Sequence, residues 1–491
     1  MDTQAMQFDL IVIGSGPGGY KAAINAAHMG AKVALIERDL PGGTCLNQGC
    51  IPKKSLLHMA SLIASVNELE GRGLVGHVRG DIKAAMAHKD AVVKGIRDNF
   101  LLWLKRMGIR IFRGEARFID RQRVRVSLTA PLADDSATTF ELQASRIIIA
   151  TGSTPRELPA CPTDGRVIVN SRDLLFKLDD LPRSVLCVGG GAIGVEFGYL
   201  LHQFGAQVRI VEQGDRLLYQ SNMPDRACGA LERKLSRLGI EVCNNLNVVS
   251  TRVEENGVDV EFSNCERAHY DYVLVAVGRQ PQTQGLGLEE IGVTVNAEGF
   301  IVTSEYLETS VAGIYAVGDV KRSPMFSPMT ANAALYDGKV AATNAIRGNE
   351  LQANYFKVPF VIHSALEMAS VGLSEGQAED AGFEEEVARS SLGGSGKARA
   401  YHDFEGFTEV VHDAETGQLL GGCIVGPEAG EQVHMLSAAL QSRLGLWFFK
   451  DMSYSHPSWC EELETTIDSC TSAFSKSDKI IFRPGILAGT E

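Results

Sequence analysis

Cys45 and Cys50 are the residues whose types and spacing most directly suggest chemistry. Four residues separate them, within the segment Gly42-Gly43-Thr44-Cys45-Leu46-Asn47-Gln48-Gly49-Cys50-Ile51-Pro52-Lys53-Lys54. A disulfide ring closed over so few residues is strained and readily reopened, which suits a working dithiol better than a structural crosslink. The spacing therefore predicts a redox-active disulfide.

A glycine-rich turn lies upstream of the cysteines. The apolar run that begins at Phe8 leads into a G-x-G-x-x-G pattern formed by Gly14, Gly16 and Gly19. These glycines permit the tight turn, the approach of the backbone to a pyrophosphate, and the packing of helix on strand, in that order. A second apolar strand ends at Glu37, an acceptor for a ribose hydroxyl. The order of these features predicts a Rossmann-type dinucleotide site next to the dithiol.

The same pattern occurs a second time, with the same distance from its first glycine to its acid. Its residues are Gly189, Gly191, Gly194 and Glu212. Such an internal repeat predicts two dinucleotide sites in one chain, one for FAD and one for a nicotinamide nucleotide. A carboxylate accepts the 2′-hydroxyl of NAD and repels the 2′-phosphate of NADP, so Glu212 favours NAD. Arg209 and Arg216 lie near enough in sequence to keep NADP as an alternative.

Composition limits the possible classes of function. The 491 residues are 45% hydrophobic and 22% charged, which indicates a globular α/β protein of about three domains. The net charge of −13 and the lack of a long apolar run argue against binding to nucleic acid or insertion into a membrane. Eight of the ten cysteines are scattered singly and none has zinc-ligand spacing, so no metal is expected. The short polar N-terminus resembles no targeting signal, and we expect a cytoplasmic protein.

Three later segments complete the expected organisation. Strand-to-loop breaks occur at Thr151-Gly152 and at Gly278, and a further apolar strand ends at Asp319, either a plain turn or an acceptor for the ribityl chain of a flavin. From about Leu351 the pattern becomes α+β, and it includes His456 five residues before Glu461. The sequence thus predicts two Rossmann-like domains, for FAD (residues 1–155 and 282–350) and NAD (residues 156–281), and an α+β C-terminal domain (residues 351–491).

With these motifs together, the whole chain resembles the pyridine nucleotide-disulfide oxidoreductases, and most closely their dihydrolipoamide dehydrogenase branch. The resemblance implies that the α+β C-terminal domain is a dimerisation domain and that the protein is a homodimer. In it, Cys45 exchanges with substrate and Cys50 faces the flavin. It also implies that His456, oriented by Glu461, serves as acid and base at the disulfide of the other subunit. Lys54 would lie near the flavin and pair with Glu196. The remaining cofactor-binding positions implied are Gly43, Thr44, Ala116, Thr151, Gly152, Gly278, Asp319, Met329 and Ala331.

The activity that this resemblance implies is oxidation of protein-bound dihydrolipoamide to lipoamide, with reduction of NAD⁺. The partner would be a lipoyl carrier protein or a component of a 2-oxo acid dehydrogenase or glycine cleavage complex. The chain departs from the usual pattern at Leu366, Tyr454, Trp459 and Met329-Thr330-Ala331-Asn332-Ala333, where the substrate arm should enter. Two alternatives stay open: an NAD(P)H-driven disulfide reductase similar to glutathione reductase, which Lys53 slightly favours, and a flavoprotein subunit or sensor that does not turn over.

Overall fold

The computed structural model describes residues 5–129, 138–324 and 328–470. The first part of the chain alternates strands that are buried on both faces with helices that cover them, as a parallel sheet requires. Its elements are β1 (Met6–Gln7), β2 (Leu10–Ile13), α1 (Pro17–His28), β3 (Val33–Glu37), α2 (Gly43–Gln48), α3 (Cys50–Glu68), α4 (Ile82–Arg106), β4 (Arg110–Phe118), β5 (Arg123–Leu128), β6 (Thr139–Gln143), β7 (Arg146–Ile149) and β8 (Ser153–Pro155).

The next part repeats this design around a second parallel sheet. Its elements are β9 (Ile168–Asn170), α5 (Ser171–Lys177), β10 (Ser184–Val188), α6 (Ala192–Phe204), β11 (Gln207–Val211), α7 (Asp225–Leu238), β12 (Glu241–Cys243), β13 (Val248–Glu254), β14 (Gly257–Phe262), β15 (Arg267–Tyr270), β16 (Tyr272–Val275) and β17 (Arg279–Pro281). The parallel strands follow the order β12-β11-β10-β16-β9, and β13 to β15 form a separate antiparallel sheet. Strand β17 pairs with β8, so the chain returns here to the first part.

The returning segment completes the first sheet. It contains α8 (Leu288–Ile291), β18 (Ile301–Val302), β19 (Ile314–Ala316), a 3₁₀ turn (Gly318–Val320), β20 (Lys321–Arg322) and α9 (Ala331–Arg347). Strand β19 adds beside β7 in the order β1-β6-β5-β4-β3-β2-β7-β19. Helix α9 begins at Ala331 because the Thr330 hydroxyl accepts a hydrogen bond from Ala333 N at 3.4 Å and caps it.

The last part is an antiparallel sheet covered by helices. Its elements are β21 (Phe360–His363), β22 (Glu367–Gly372), α10 (Glu375–Asp380), β23 (Glu385–Ser391), a 3₁₀ turn (Leu392–Gly394), α11 (Gly396–Tyr401), β24 (Phe407–Asp413), β25 (Leu419–Val425), α12 (Ala429–Gln441), α13 (Leu446–Lys450) and α14 (Glu462–Asp468). The strands follow the order β21-β22-β25-β24-β23. The sequence pattern predicted the last helix as far as about Ser475, and its expected end lies outside the described residues.

One apolar cluster joins helices α3 and α4 of the first part to the second parallel sheet and to the last antiparallel sheet. It contains Leu56 of α3, Phe197 of α6 and Ile362 of β21, each buried almost completely. Burial of side chains of this size stabilises a fold by roughly 2 kcal/mol each. The cysteine helix, the second fingerprint helix and the first strand of the last sheet are therefore held as one unit. None of the described helices combines the length and the apolar character needed to cross a membrane.

Candidate active site

The cysteine segment is folded back against the first glycine-rich turn. Gly42 and Gly43 have φ of 97° and 63°, a left-handed conformation that only glycine adopts without strain. A Cβ on Gly43 would lie 2.6 Å from the Cα of Gly16, so the two segments touch through glycines. The Asn47 side chain donates to the carbonyl oxygens of Pro41 and Gly43 at 3.0 Å and stabilises the turn. Cys45 lies on the short helix α2, and Cys50 is the first residue of the longer helix α3 that follows it.

The two cysteines are separate thiols that hydrogen-bond to each other. The hydrogen bond from Cys45 lowers the pKa of Cys50 to about 7, against the opposing effect of burial and with help from the Lys53 ammonium. The same hydrogen bond and burial raise the pKa of the Cys45 thiol. Cys50 also occupies the first turn of α3, where free N–H groups favour an anion. The opposite directions of these two pKa shifts place the negative charge of the reduced pair on Cys50.

The pairing of Lys54 with Glu196 that the sequence predicted is wrong. Glu196 is buried and forms its ion pair with the Lys53 ammonium instead. Consecutive residues of an α-helix point about 100° apart, so only one of the two lysines can face α6. Lys54 turns toward the last sheet, where its ammonium lies 3.3 Å from Nδ1 of His363. Lys53 and His363 are thus residues of the site that the sequence prediction did not include.

The first fingerprint has the features of an anion site at a helix N-terminus. The helix α1 begins after Gly16 with Pro17 and has no side-chain cap, so its first N–H groups are free for a ligand. A Cβ on Gly16 would meet no atom within 4 Å, whereas one on Gly19 would lie 1.8 Å from the carbonyl oxygen of Gly14. Space for a pyrophosphate and close packing of helix on turn are therefore both present, as FAD requires.

The carboxylate of Glu37 is tied to the same turn. It accepts hydrogen bonds from the backbone N and the hydroxyl of Ser15, at 2.9 and 2.6 Å. The Ser15 hydroxyl in turn accepts from Gly42 N at 2.9 Å, at the start of the cysteine segment. Ser15 therefore connects the acid of the fingerprint with the dithiol, a role that the sequence analysis missed although the residue lies inside the glycine motif.

The second fingerprint repeats this geometry without the serine. A Cβ on Gly194 would lie 1.9 Å from the carbonyl oxygen of Gly189, and one on Gly191 would meet nothing within 4 Å. The buried Glu212 carboxylate accepts hydrogen bonds from Gly190 N and Gly214 N, at 2.7 and 2.8 Å. Its position at the end of β11 suits a ribose hydroxyl.

Arg209 and Arg216, the two arginines near Glu212 that could favour NADP, both have carboxylate partners. Arg209 forms ion pairs with Glu266 and Glu241, at 2.5 and 3.2 Å. The guanidinium of Arg216 lies 2.9 Å from Asp225. Their positive charges are therefore largely compensated near the second fingerprint, and Glu212 remains the group that faces the turn.

A further network surrounds Asp319 at the end of β19. The Ser153 hydroxyl donates to Asp319 at 2.5 Å and accepts from Nε of Arg279 at 2.7 Å. Arg279 also donates to the carbonyl oxygen of Ser153 at 2.7 Å. The network joins the two strand-to-loop breaks that the sequence singled out. Ser153 and Arg279 themselves were not predicted as site residues, although both lie one residue after the glycines that were.

One cavity of about 1350 Å³ connects the first fingerprint with the dithiol. Its volume exceeds the range of roughly 300–1,000 Å³ of ordinary small-molecule sites and suits an extended dinucleotide. The predicted residues that line it are Gly14, Gly16, Glu37, Gly43, Thr44, Cys45, Cys50, Lys54, Ala116, Thr151, Gly152, Glu196, Asp319, Met329 and Ala331. The predicted residues outside it are Gly19, Gly189, Gly191, Gly194, Glu212, Gly278, His456 and Glu461.

His456 and Glu461 form a pair away from this cavity. Nδ1 of His456 lies 3.0 Å from a carboxylate oxygen of Glu461, and the His456 side chain is 81% exposed. The carboxylate can orient the ring and leave Nε2 free for proton transfer. The single chain thus places this pair at its surface rather than beside its own cysteines.

Comparison with known proteins gives the family. Residues 8–338 match the model described as "Pyridine nucleotide-disulphide oxidoreductase", and residues 358–467 match the dimerisation domain of the same family. The chain belongs to the pyridine nucleotide-disulphide oxidoreductases. It is 38% identical to a dihydrolipoyl dehydrogenase of Thermus scotoductus, covering 93% of this chain and 96% of that one. It is 36% identical to another from Chlorobaculum tepidum, covering 96% and 99%.

Solved structures of this family are also similar. LpdA of Mycobacterium tuberculosis is 25% identical with a TM-score of 0.85, and the flavoprotein disulfide reductase RclA of Escherichia coli is 27% identical with a TM-score of 0.80. Each likeness covers 94% of this chain and 99% of the other. Proteins of this family are oxidoreductases that use FAD and NAD, and the open turns at Gly16 and Gly191 fit the two cofactors.

Proposed function

We propose that this protein oxidises dihydrolipoamide carried by a lipoyl protein to lipoamide and reduces NAD⁺, as a homodimer in the cytoplasm. The observation that carries the proposal is the Cys45–Cys50 pair, whose negative charge is directed to Cys50 at the edge of a dinucleotide-sized cavity. The relatives named dihydrolipoyl dehydrogenase support the choice of substrate. The carrier is a lipoyl domain of a 2-oxo acid dehydrogenase complex or of the glycine cleavage system.

Each residue of the site has a part in this reaction. Cys45 forms the mixed disulfide with the substrate dithiol, and Cys50 is released as a thiolate when the Cys45–Cys50 disulfide opens. Lys53, fixed by Glu196, stabilises that charge. Bound FAD would supply the electron acceptor for the dithiol, and bound NAD⁺ would supply the final hydride acceptor. In the dimer, His456 moves protons to and from the substrate sulfurs at the dithiol of the second subunit.

We propose that the chain folds into three domains. The FAD domain comprises residues 1–155 and 282–350, and its two pieces are joined in one sheet through β19. The NAD domain comprises residues 156–281; it follows β8 and ends with β17, the strand that pairs with β8. The dimerisation domain comprises residues 351–491. The exposed His456 ring of this last domain, held by the mostly buried Glu461 carboxylate, is available to a second subunit.

A specific observation favours a second candidate, an NAD(P)H-driven disulfide reductase. Lys53 is the residue that the sequence analysis associated with reductases of the glutathione type, and Lys53 forms the ion pair with Glu196. The flavoprotein disulfide reductase RclA shares the fold over nearly the whole chain. The acidic end of β11 at Glu212 opposes NADP and favours the first candidate.

The two candidates differ in their substrates. Steady-state rates of the purified protein should be compared for dihydrolipoamide with NAD⁺ or NADP⁺, and for glutathione disulfide with NADH or NADPH. We expect dihydrolipoamide and NAD⁺ to give the highest kcat/KM, by at least about tenfold. A preference for glutathione disulfide and NADPH would establish the second candidate instead.

A further inference from the structure

His363 is an ionisable residue of the cofactor cavity to which no role has been given. It ends β21, and its ring nitrogen Nδ1 faces two groups of opposite charge. The Lys54 ammonium lies 3.3 Å from this nitrogen, and a carboxylate oxygen of Glu367 lies 3.5 Å from it. A single nitrogen atom is therefore shared between a donor and an acceptor.

Chemistry allows this nitrogen to serve only one of the two partners at a time. In a neutral ring protonated at Nε2, Nδ1 carries a lone pair and accepts from Lys54. When Nδ1 gains a proton, it becomes a donor, pairs with Glu367 and repels the ammonium. The protonation of this one nitrogen therefore decides which of the two partners it serves.

The parts around Lys54 are fixed. The Glu367 carboxylate accepts from Gly430 N at 2.8 Å, and despite burial its pKa is lowered by His363, that hydrogen bond and Lys54. The backbone N of His363 donates to Glu196 at 2.9 Å. The His363 backbone and the Glu367 carboxylate are thus anchored, while the long Lys54 side chain carries its ammonium on rotatable bonds.

We propose that His363 is a positioning residue that sets the location of the Lys54 ammonium in the cofactor cavity, holding it when neutral and releasing it when protonated. One proton from solvent moves onto Nδ1 in this step, and the hydrogen bond to Lys54 is exchanged for one to Glu367. The inference rests on the proposed function only in that the cavity binds FAD.

Other charged groups also border this part of the cavity. Lys53 and Glu196 lie on α3 and α6, and Glu431 and His434 lie on α12. A pH effect of His363 must therefore be distinguished from an effect of the second histidine of the cavity, His434. Lys54 contacts His363 directly, which makes His363 the group that we test first.

The test is a pH titration of the flavin absorbance of the purified holoenzyme between about pH 5.5 and 8.5. Wild type should show an inflection that follows the movement of Lys54. His363→Asn presents an oxygen in place of Nδ1 and cannot gain a proton, so its spectrum should keep the high-pH form throughout. His363→Gln presents its amide in place of Nε2 and leaves Lys54 without an acceptor, so its spectrum should keep the low-pH form.

Turnover gives a second readout that needs no lipoyl substrate. With NADH and ferricyanide at pH 6, His363→Gln should be roughly threefold faster than His363→Asn, because the released ammonium stabilises negative charge in the cavity. Lys54→Met should lose the spectral inflection, and the exposed control His88→Asn should retain it.

Several outcomes would overturn the proposal. These are an inflection that persists in both His363 variants, one that persists in Lys54→Met, or one that disappears in His434→Asn. Failure of dihydrolipoamide oxidation would not affect these measurements, so the two proposals can fail separately.

Discussion

The two dinucleotide fingerprints have the same backbone but different surroundings. In the first, the Ser15 hydroxyl joins the Glu37 carboxylate to Gly42 and so to the dithiol. In the second, Gly190 occupies the corresponding position, and Glu212 is held by backbone N–H groups. A charge-assisted hydrogen bond of 2.6 Å rigidifies the first site, as a permanently held cofactor needs. The second site keeps a simpler acceptor, which suits a nucleotide that enters and leaves at each turnover.

The largest effect should come from removing either sulfur of the dithiol beside the first dinucleotide site. Cys45→Ser and Cys50→Ser should each lower the rate of dihydrolipoamide oxidation by roughly a thousandfold or more, because disulfide exchange requires both sulfurs. In the reduced enzyme, Cys45→Ser should keep the long-wavelength absorbance that a thiolate beside flavin gives, and Cys50→Ser should lose it. Cys265→Ser, at an exposed free thiol, is the control. The reverse spectral pattern would exchange the roles of the two cysteines.

The second site can be tested through its acid. Glu212→Arg should change the ratio of kcat/KM for NAD⁺ to that for NADP⁺ by roughly a hundredfold in favour of NADP⁺, since it reverses the charge that meets the 2′ position. Glu212→Gln separates charge from side-chain size and should give a smaller shift. Thermal unfolding of both variants checks that the buried position still folds. An unchanged cofactor ratio would remove the basis for the NAD assignment.

One substitution can make the first dinucleotide site resemble the second. Ser15→Gly introduces the residue that the second site has at this position, Gly190, and removes the hydrogen bonds of the Ser15 hydroxyl to Glu37 and Gly42. We expect a loss of about 1.5 kcal/mol in FAD binding, or roughly tenfold in the dissociation constant, measured by fluorescence of released flavin. Ser145→Gly, at an exposed serine, should bind FAD as wild type does. Equal affinity in both variants would contradict the proposed difference between the sites.

The smallest effect concerns pH. The pKa of Cys50 is lowered from 9.0 to about 7, chiefly by the hydrogen bond from Cys45. The thiolate therefore exists above about pH 7, and the long-wavelength absorbance of the reduced enzyme should fall to half as pH decreases through that value. Because the pKa of Cys50 is lowered in the folded protein, the Cys50 thiolate also contributes to folding stability. That contribution is lost as pH falls through about 7. An absorbance that is constant from pH 6 to 9 would assign the charge to another group.

Local pattern was enough to predict much of this protein. Strands that end in Gly14 and Gly189, equal distances to Glu37 and Glu212, and the Cys45–Cys50 segment are short-range features. Their chemistry depends on backbone conformation and residue type within a few turns. They predicted the α/β fold, the family and both cofactors.

The tertiary structure decided which side chains meet across elements. Lys53 and Lys54 are equivalent in sequence, but the helix turns about 100° between them, so Lys53 faces Glu196 and Lys54 faces His363. Ser153 reaches Asp319 and Arg279 only because β8 pairs with β17 beside β19. Such contacts depend on how separate elements are placed and rotated against one another, and that information is not contained in any single segment of the chain.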